Sequence, residues 1–382
     1  MEALGRVEPR YGRESLADVL PSVLHALGVP GEPDHLGLAT QLAGVRRVAV
    51  VLLDGLGWHQ LPAAARHAPT LADIVQGRLG TARRITSGFP STTPVSLVTL
   101  GTGAAPGRHG IVGFTLNRPG TDRVVNHLYW TDVPDPAVWQ PLPTAFTRAE
   151  RAGLAPTVVT NPAFTDTGLT RSAYRGARLG PGVAADAVAD EMLAALADSR
   201  LVYGYLPDVD RAGHDQGLGS AQWQEAAASA DRLLTRLVDA LPPDTALLVT
   251  ADHGQLDVPP DRRIDLDRDP RLTEGVAVVA GEPRVRYLHT APGAEQDVLS
   301  TWRGVLGDAA WVVPRAEAVA SGWFGEVPET HLRRIGDVVV VCRDRWIVLA
   351  SAHETPRLSE MIAFHGSNTA AEMEIPLLVL RR

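Results

Sequence analysis

Lysine is missing from this 382-residue chain, whose basic side chains are all arginine. A Schiff-base mechanism needs a lysine amine and a P-loop needs a lysine at its phosphate, so both chemistries are excluded. Protein kinases of the usual kind go with them. Cysteine is nearly missing too. Cys342 stands alone, so no internal disulfide can form and no zinc–sulfur site can be assembled. No apolar run approaches the roughly 20 residues of a membrane span. The start, Met1, Glu2, Ala3, lacks the basic residues and apolar stretch of a secretory signal. These absences lead to the expectation of a cytoplasmic protein that does not engage a membrane. The net charge of -8 argues against a partner of polymeric nucleic acid, which calls for a basic face. It leaves a nucleotide open as a substrate, because bound cations can reverse the field inside a pocket.

Apolar residues make up 45% of the chain, enough for a sizeable core. Arg47 to Leu53 is almost continuously apolar and rich in valine, the pattern of a strand buried on both faces. Thr157 to Thr160, Leu201 to Leu206, Ala246 to Thr250 and Pro376 to Leu380 read alike. Between them, Val183 to Leu196 and Ala221 to Leu241 have helical spacing, the second with Ser220 placed as an N-cap. Strands alternating with helices predict an α/β fold: a mostly parallel central sheet flanked by helices. Phe114 to Pro143, rich in proline, aspartate and aromatics, is expected to form a flap. Residues 255–364, with several β-like runs, are expected to form a smaller inserted α+β cap. The core is then 1–254 together with 365–382.

In an open α/β sheet, ligands collect at the carboxyl ends of the strands. Here the apolar runs lead into metal-ligand types. The first ends at Asp54. Leu201 to Leu206 leads to Asp208, Asp210 and His214. Ala246 to Thr250 leads to Asp252 and His253, and His365 precedes the last run. Taken singly, such an aspartate is a turn residue or cap and such a histidine a hydrogen-bonded core residue. Four strand ends together predict a metal site. Aspartate with histidine suits zinc or another first-row divalent ion, and six ligands suit two adjacent ions better than one.

A nucleophile is sought in Phe89-Pro90-Ser91-Thr92-Thr93-Pro94-Val95-Ser96. Pro94 fits the first turn of a helix running through Leu100, which would make Thr93 its N-cap. The N–H groups and dipole of a helix start suit a phosphate. Coordination to a metal would activate the hydroxyl; otherwise Thr93 is a capping residue only.

These segments resemble the alkaline phosphatase superfamily, and within it the nucleotide pyrophosphatase/phosphodiesterase branch. The resemblance rests on Leu53-Asp54-Gly55, on Thr93, and on the run Thr102-Gly103 through Pro106 to His109-Gly110. It continues through Asp210 with His214, Asp252-His253-Gly254 and His365-Gly366. It singles out Asp210 over Asp208 and Thr93 over Thr92. It implies one metal on Asp210, His214 and His365, a second on Asp54, Asp252 and His253 with Thr93 joining, and zinc as the ion. His109 would be structural. Where family members commonly carry lysine and asparagine around the nucleophile, this chain has Thr92 and Ser96, and the Ser96 hydroxyl is expected to contact the substrate phosphate. The implied activity is phosphodiester or pyrophosphate hydrolysis of a small phosphate ester or nucleotide through a phosphothreonine intermediate. A phosphomonoesterase or a phosphonate hydrolase of the same superfamily is the alternative, and a metal-stabilised binding protein the alternative from another class. Specificity is expected from the cap and from Asn126, His127, Tyr129 and Trp130 in the flap, where aromatics could stack on a base or pack the flap down.

Overall fold

A computed structural model describes residues 4–130 and 133–382. Met1 to Ala3, and positions 131 and 132 of the expected flap, lie outside the described residues. The central sheet comprises β1 (Arg47–Leu53), β2 (Thr81–Thr86), β3 (Thr157–Thr160), β4 (Arg178–Pro181), β5 (Leu201–Leu206), β6 (Thr245–Thr250) and β7 (Glu374–Arg381). Their order across the sheet is β2-β7-β6-β1-β5-β3-β4. β7 runs antiparallel to both neighbours and the remaining pairs are parallel.

β1 sits at the centre, and its alternation explains why it reads as unbroken apolar sequence. Val48, Val50 and Leu52 enter one core, while Ala49, Val51 and Leu53 enter the other. Covering helices lie on both faces. α1 (Thr93–Thr102) packs on the first side, and α2 (Ala185–Ala195) and α4 (Ala221–Ala240) on the second, while α3 (Asp208–Gln216) follows β5 directly. Ser220 caps α4 by accepting from the Trp223 N–H at 3.2 Å. The two strands not expected from the sequence, β2 and β4, are at the sheet's edges. Arg83 and Arg84 on β2, and Arg178 and Leu179 on β4, are only partly covered, so neither strand carries the continuous apolar run of a central one.

Within 255–364 a separate four-stranded sheet is built from residues 276–282, 285–290, 338–342 and 310–314, in that spatial order. Its two faces have different partners. Val338, Val340 and Cys342 face the helix Glu295–Leu306 in a core of their own. Val339, Val341, Val285 and Tyr287 join the core under α1. The smaller sheet is therefore fused to the main body along a whole face.

Arg284, at the tip of the 276–290 hairpin, strengthens that union. It is fully buried and donates to Glu372 through Nε at 2.8 Å and Nη2 at 2.6 Å. Glu372 also accepts from the Ser367 N–H and the Thr369 hydroxyl. Removing one partner of such a pair strands the other charge in the interior. Arg284→Ala is thus expected to lose about 3–5 kcal/mol of stability in urea unfolding, and an effect below about 1 kcal/mol would contradict the described packing.

Candidate active site

Each strand end delivers its ligand for a local reason. β1 ends at Leu53, and Asp54 follows with its N–H on Leu206 O of neighbouring β5. Gly55 comes next at φ +74, where a Cβ would lie 2.8 Å from the Asp210 Cα. Only glycine lets α3 approach this closely. On α3, Asp210 and His214 stand one turn apart and share a face. Asp252 and His253 lie just past β6, and His365 in the turn leading to β7.

Two groups result. In the first, His214 Nε2 is 3.3 Å from Asp210 Oδ2, and His365 Nε2 is 3.2 Å from His214 Nε2. In the second, His253 Nε2 is 3.2 Å from Asp252 Oδ2, 3.5 Å from Asp54 Oδ1 and 3.2 Å from the Thr93 hydroxyl. Asp210 belongs to both, since its carboxylate also groups with Asp54 and His253 within 4.8 Å. The rings of His253 and His365 stack at 3.6 Å.

The residues fit cations closely. Each of the three imidazoles has its Nδ1 on a backbone carbonyl: His214 on Ala363 at 2.8 Å, His365 on Ser91 at 3.0 Å and His253 on Gly254 at 3.2 Å. An Nδ1–H donated there leaves the Nε2 lone pair facing the group, the tautomer a metal requires. Among the described residues, Asp54 Oδ1 and Asp252 Oδ2 are buried with no hydrogen-bond partner. Orphaned carboxylate oxygens beside free imidazole lone pairs are expensive to bury without a positive charge.

The proton affinities express the same cost. Burial, followed by the nearby Asp252 and Asp210 charges, holds Asp54 well above the usual carboxylate range. Burial lifts Asp252 to about 6 and lowers His253 to about 4. His365 is pushed well down by burial and by His253 and His214.

Thr93 lies on a cavity of about 490 Å³ together with Asp54, Asp210, His214 and His365. Its place in α1 differs from expectation by one residue. Thr92, with extended φ and ψ of -135 and 148, is the N-cap, and Thr93 is the first helical residue. Thr93 therefore retains the helix-start environment but spends no hydroxyl on capping.

Ser96, expected to contact the substrate phosphate, does not line the cavity. Ser96 is fully buried, bonded to Ser87 Oγ at 3.0 Å, and absent from the cavity wall. It lies one turn deeper along α1 than Thr93, where Ser87, itself bonded to the Asp252 carbonyl, covers its hydroxyl. His109 is likewise buried, bonded to the Thr99 hydroxyl at 3.0 Å and away from the cavity. Asp208 faces Arg211, not the metal ligands. In the flap, His127 is an acceptor for Trp139 Nε1 at 3.0 Å, and Trp130 Nε1 donates to Pro134 O. Both pack the flap down, whereas Asn126 and the exposed Tyr129 line the cavity with Phe164, Tyr174 and Arg211.

Three further residues had no sequence signal. The Tyr205 hydroxyl donates to Asp54 Oδ2. Gln255 Nε2 donates to Asp210. Glu282 reaches the cavity from the smaller sheet. The first two orient carboxylates from positions that look like strand and loop filler, and the third lies far along the chain.

Comparison with known proteins gives a family and a shared fold. The family described as type I phosphodiesterase / nucleotide pyrophosphatase matches residues 48–368. None of the curated protein sequences matches significantly. Among solved structures, an inactive variant of murine ectonucleotide pyrophosphatase/phosphodiesterase 5 in complex with AMP superposes with a TM-score of 0.71 at 22% identity, covering 87% of each chain. The human form of that enzyme gives 0.69 at 20% identity, covering 88% of each. Phosphonoacetate hydrolase from Sinorhizobium meliloti 1021, in complex with phosphonoacetate, gives 0.68 at 22% identity, covering 88% of this chain and 90% of that one.

Proposed function

The chain belongs to the type I phosphodiesterase/nucleotide pyrophosphatase family of metal-dependent hydrolases, and from that premise we propose that it cleaves a small phosphodiester or nucleotide pyrophosphate through a phosphothreonine at Thr93. The observation carrying this reading is the position of the Thr93 hydroxyl. It stands 3.2 Å from His253 Nε2, at the start of α1, on a cavity wall shared with both ligand groups. Asp210, His214 and His365 would hold one divalent ion, and Asp54, Asp252, His253 and Thr93 the other. Aspartate and histidine donors favour zinc. When bound, the ions would favour the ionised Thr93 hydroxyl and neutralise charge on the non-bridging oxygens.

The chain's own residues do the rest. Thr93 Oγ1, having lost its proton, forms a bond to phosphorus, and the bond to the leaving alcohol or phosphate breaks in line with it. The leaving oxygen takes up a proton. Water then attacks phosphorus, the Oγ1–P bond breaks, and Thr93 recovers its proton. The first turn of α1 presents N–H groups and its positive end to the phosphoryl oxygens. Tyr205 and Gln255 hold Asp54 and Asp210 in place.

The size and lining of the cavity support a substrate with an organic group on each side of phosphorus. About 490 Å³, with Leu128, Tyr129, Phe164 and Tyr174 on its wall, is far more than a bare phosphate fills. AMP bound to the murine neighbour supports a nucleotide, and phosphonoacetate bound to the bacterial one keeps a phosphonate as the competing substrate.

Three substrates decide. With zinc-loaded protein, kcat/KM for bis-p-nitrophenyl phosphate is expected to exceed that for p-nitrophenyl phosphate by about tenfold or more. Preference for the monoester, or phosphate release from phosphonoacetate as the faster reaction, would overturn the diester reading. Metal binding with no turnover of any of the three would leave a binding protein.

A further inference from the structure

Two carboxyls on the cavity wall belong to neither ligand group: Glu354, which is paired with Arg286 at 2.6 Å, and Glu282. Glu282 ends the strand 276–282, and its residue is only 5% exposed, yet it shares the cavity with Thr93 and Asp54. Among the described residues, its Oε1 has no hydrogen-bond partner. The metal groups account for the orphaned oxygens of Asp54 and Asp252. They do not account for this one.

The carboxyl is held firmly. A Cβ at position 366 would lie 2.7 Å from Glu282 Cδ and 2.8 Å from its Oε2. Gly366, at φ +132, is therefore the residue that lets Glu282 settle against the turn carrying His365. Two residues on, Arg284 is bidentate to Glu372 inside the core. One residue back, Gly281 O accepts from the Thr115 hydroxyl at 2.8 Å. The hairpin tip is thus fixed on both sides of Glu282.

The phosphoryl group that would sit at Thr93 is anionic. An ionised carboxylate fixed beside it would repel it, whereas a protonated one would donate to it. Burial pushes Glu282 up to about 8, and the Thr92 hydroxyl, Arg286 and Arg284 offset that only in part, with Glu372 adding to the rise. The donor expected at Ser96 is also unavailable, its hydroxyl being engaged with Ser87.

We propose that Glu282 is a further catalytic residue, which in its carboxylic-acid form donates a hydrogen bond to a non-bridging oxygen of the phosphoryl group bound at Thr93. The proposal rests on the phosphoryl-transfer reading above and assigns to the smaller sheet a direct part in the reaction.

Glu282→Gln keeps the shape and a donor; Glu282→Ala removes both; Glu282→Met fills the space without a donor. All three would be compared with the parent protein after zinc loading. The readouts are kcat/KM on bis-p-nitrophenyl phosphate, the Kd of inorganic phosphate by calorimetry, metal content and thermal stability. A hydrogen bond to a charged oxygen is expected to be worth about 10–100-fold. Ala and Met should therefore lose that much in kcat/KM and weaken phosphate in the same direction, with metal content unchanged. Gln should stay within about threefold of the parent. The inference is overturned if Ala and Met retain full activity and phosphate affinity. It is also overturned if Gln falls as far as Ala, which would indicate an ionised ligand or base, or if Gln loses metal or fold. Failure of the phosphoryl-transfer reading is separate: the parent protein would turn over no phosphate ester, while the phosphate-binding arm would still test Glu282.

Discussion

Thr93→Ala is expected to lower kcat/KM on bis-p-nitrophenyl phosphate by about 10³-fold or more while leaving thermal stability near that of the parent and, with Asp54, Asp252 and His253 still in place for the second ion, metal content little changed. The size follows from the route. Without the hydroxyl, a two-step displacement has no first step, and residual turnover must come from water attacking directly at a site arranged for a side-chain oxygen. The small structural effect follows from the position. Thr93 is the first helical residue and makes no side-chain cap, so truncation removes neither a cap nor a core contact of consequence. Its hydrogen-bond partner is His253 Nε2, an atom expected to face a cation in the loaded protein. Thr93→Ser should retain part of the activity, since it keeps the oxygen and the helix start. Rapid quenching of the parent protein should trap phosphate on Thr93, and no such adduct should form in the alanine variant. An alanine variant with parental turnover would remove Thr93 from the chemistry and leave it as a residue of the helix start.

Stripping divalent ions should have an effect of the same order on activity and a large one on stability. Chelation is expected to reduce turnover to background, with zinc restoring it. The folded protein should also lose the stabilisation that ligands binding only the native state provide, about 4 kcal/mol per site at a thousandfold excess over Kd. The pH dependence has a definite sign. Burial keeps His253, at about 4, and His365 neutral through the neutral range, so cations displace no proton from them there. The carboxyls behave oppositely. Asp54 holds its proton well above the usual range, and Asp252 does so below about 6. Cation uptake must therefore expel protons, and affinity should fall as pH falls, by about tenfold per pH unit for each proton displaced. Calorimetry in buffers of different ionisation enthalpy would count those protons. Affinity unchanged between about pH 5 and about pH 7.5 would contradict the buried, mutually repelling carboxylates described here.

A fully fused smaller sheet changes how specificity can arise. With Val339, Val341 and Tyr287 in the main core and Arg284 locked to Glu372, a lid motion of this sheet would have to break those buried contacts. It contributes a wall of the cavity through Gly281, Glu282 and Pro283. The solvent-exposed part of the lining is elsewhere, at Tyr129 and along the rim with Arg211 and Arg357.

The central strands and the ligand types at their ends were determined by the sequence alone. A strand buried on both faces has to be apolar at every position, as β1 is from Val48 to Leu53, and its end is where the polar residues must begin. Family motifs supplied the grouping of Asp210, His214 and His365. The edge strands β2 and β4 were not legible, because partial exposure relaxes the demand for apolar residues. The one-residue shift that makes Thr92 the cap was not legible either, since two adjacent threonines are equally good caps and only the backbone path selects between them. That Ser96 is buried against Ser87 rather than on the cavity wall was not legible, because its partner lies on a separate segment nine residues earlier. Tyr205, Gln255 and Glu282 were invisible for a related reason. Their partners are distant in sequence, and only the tertiary structure decides which buried polar atoms meet and which are left facing the cavity without one.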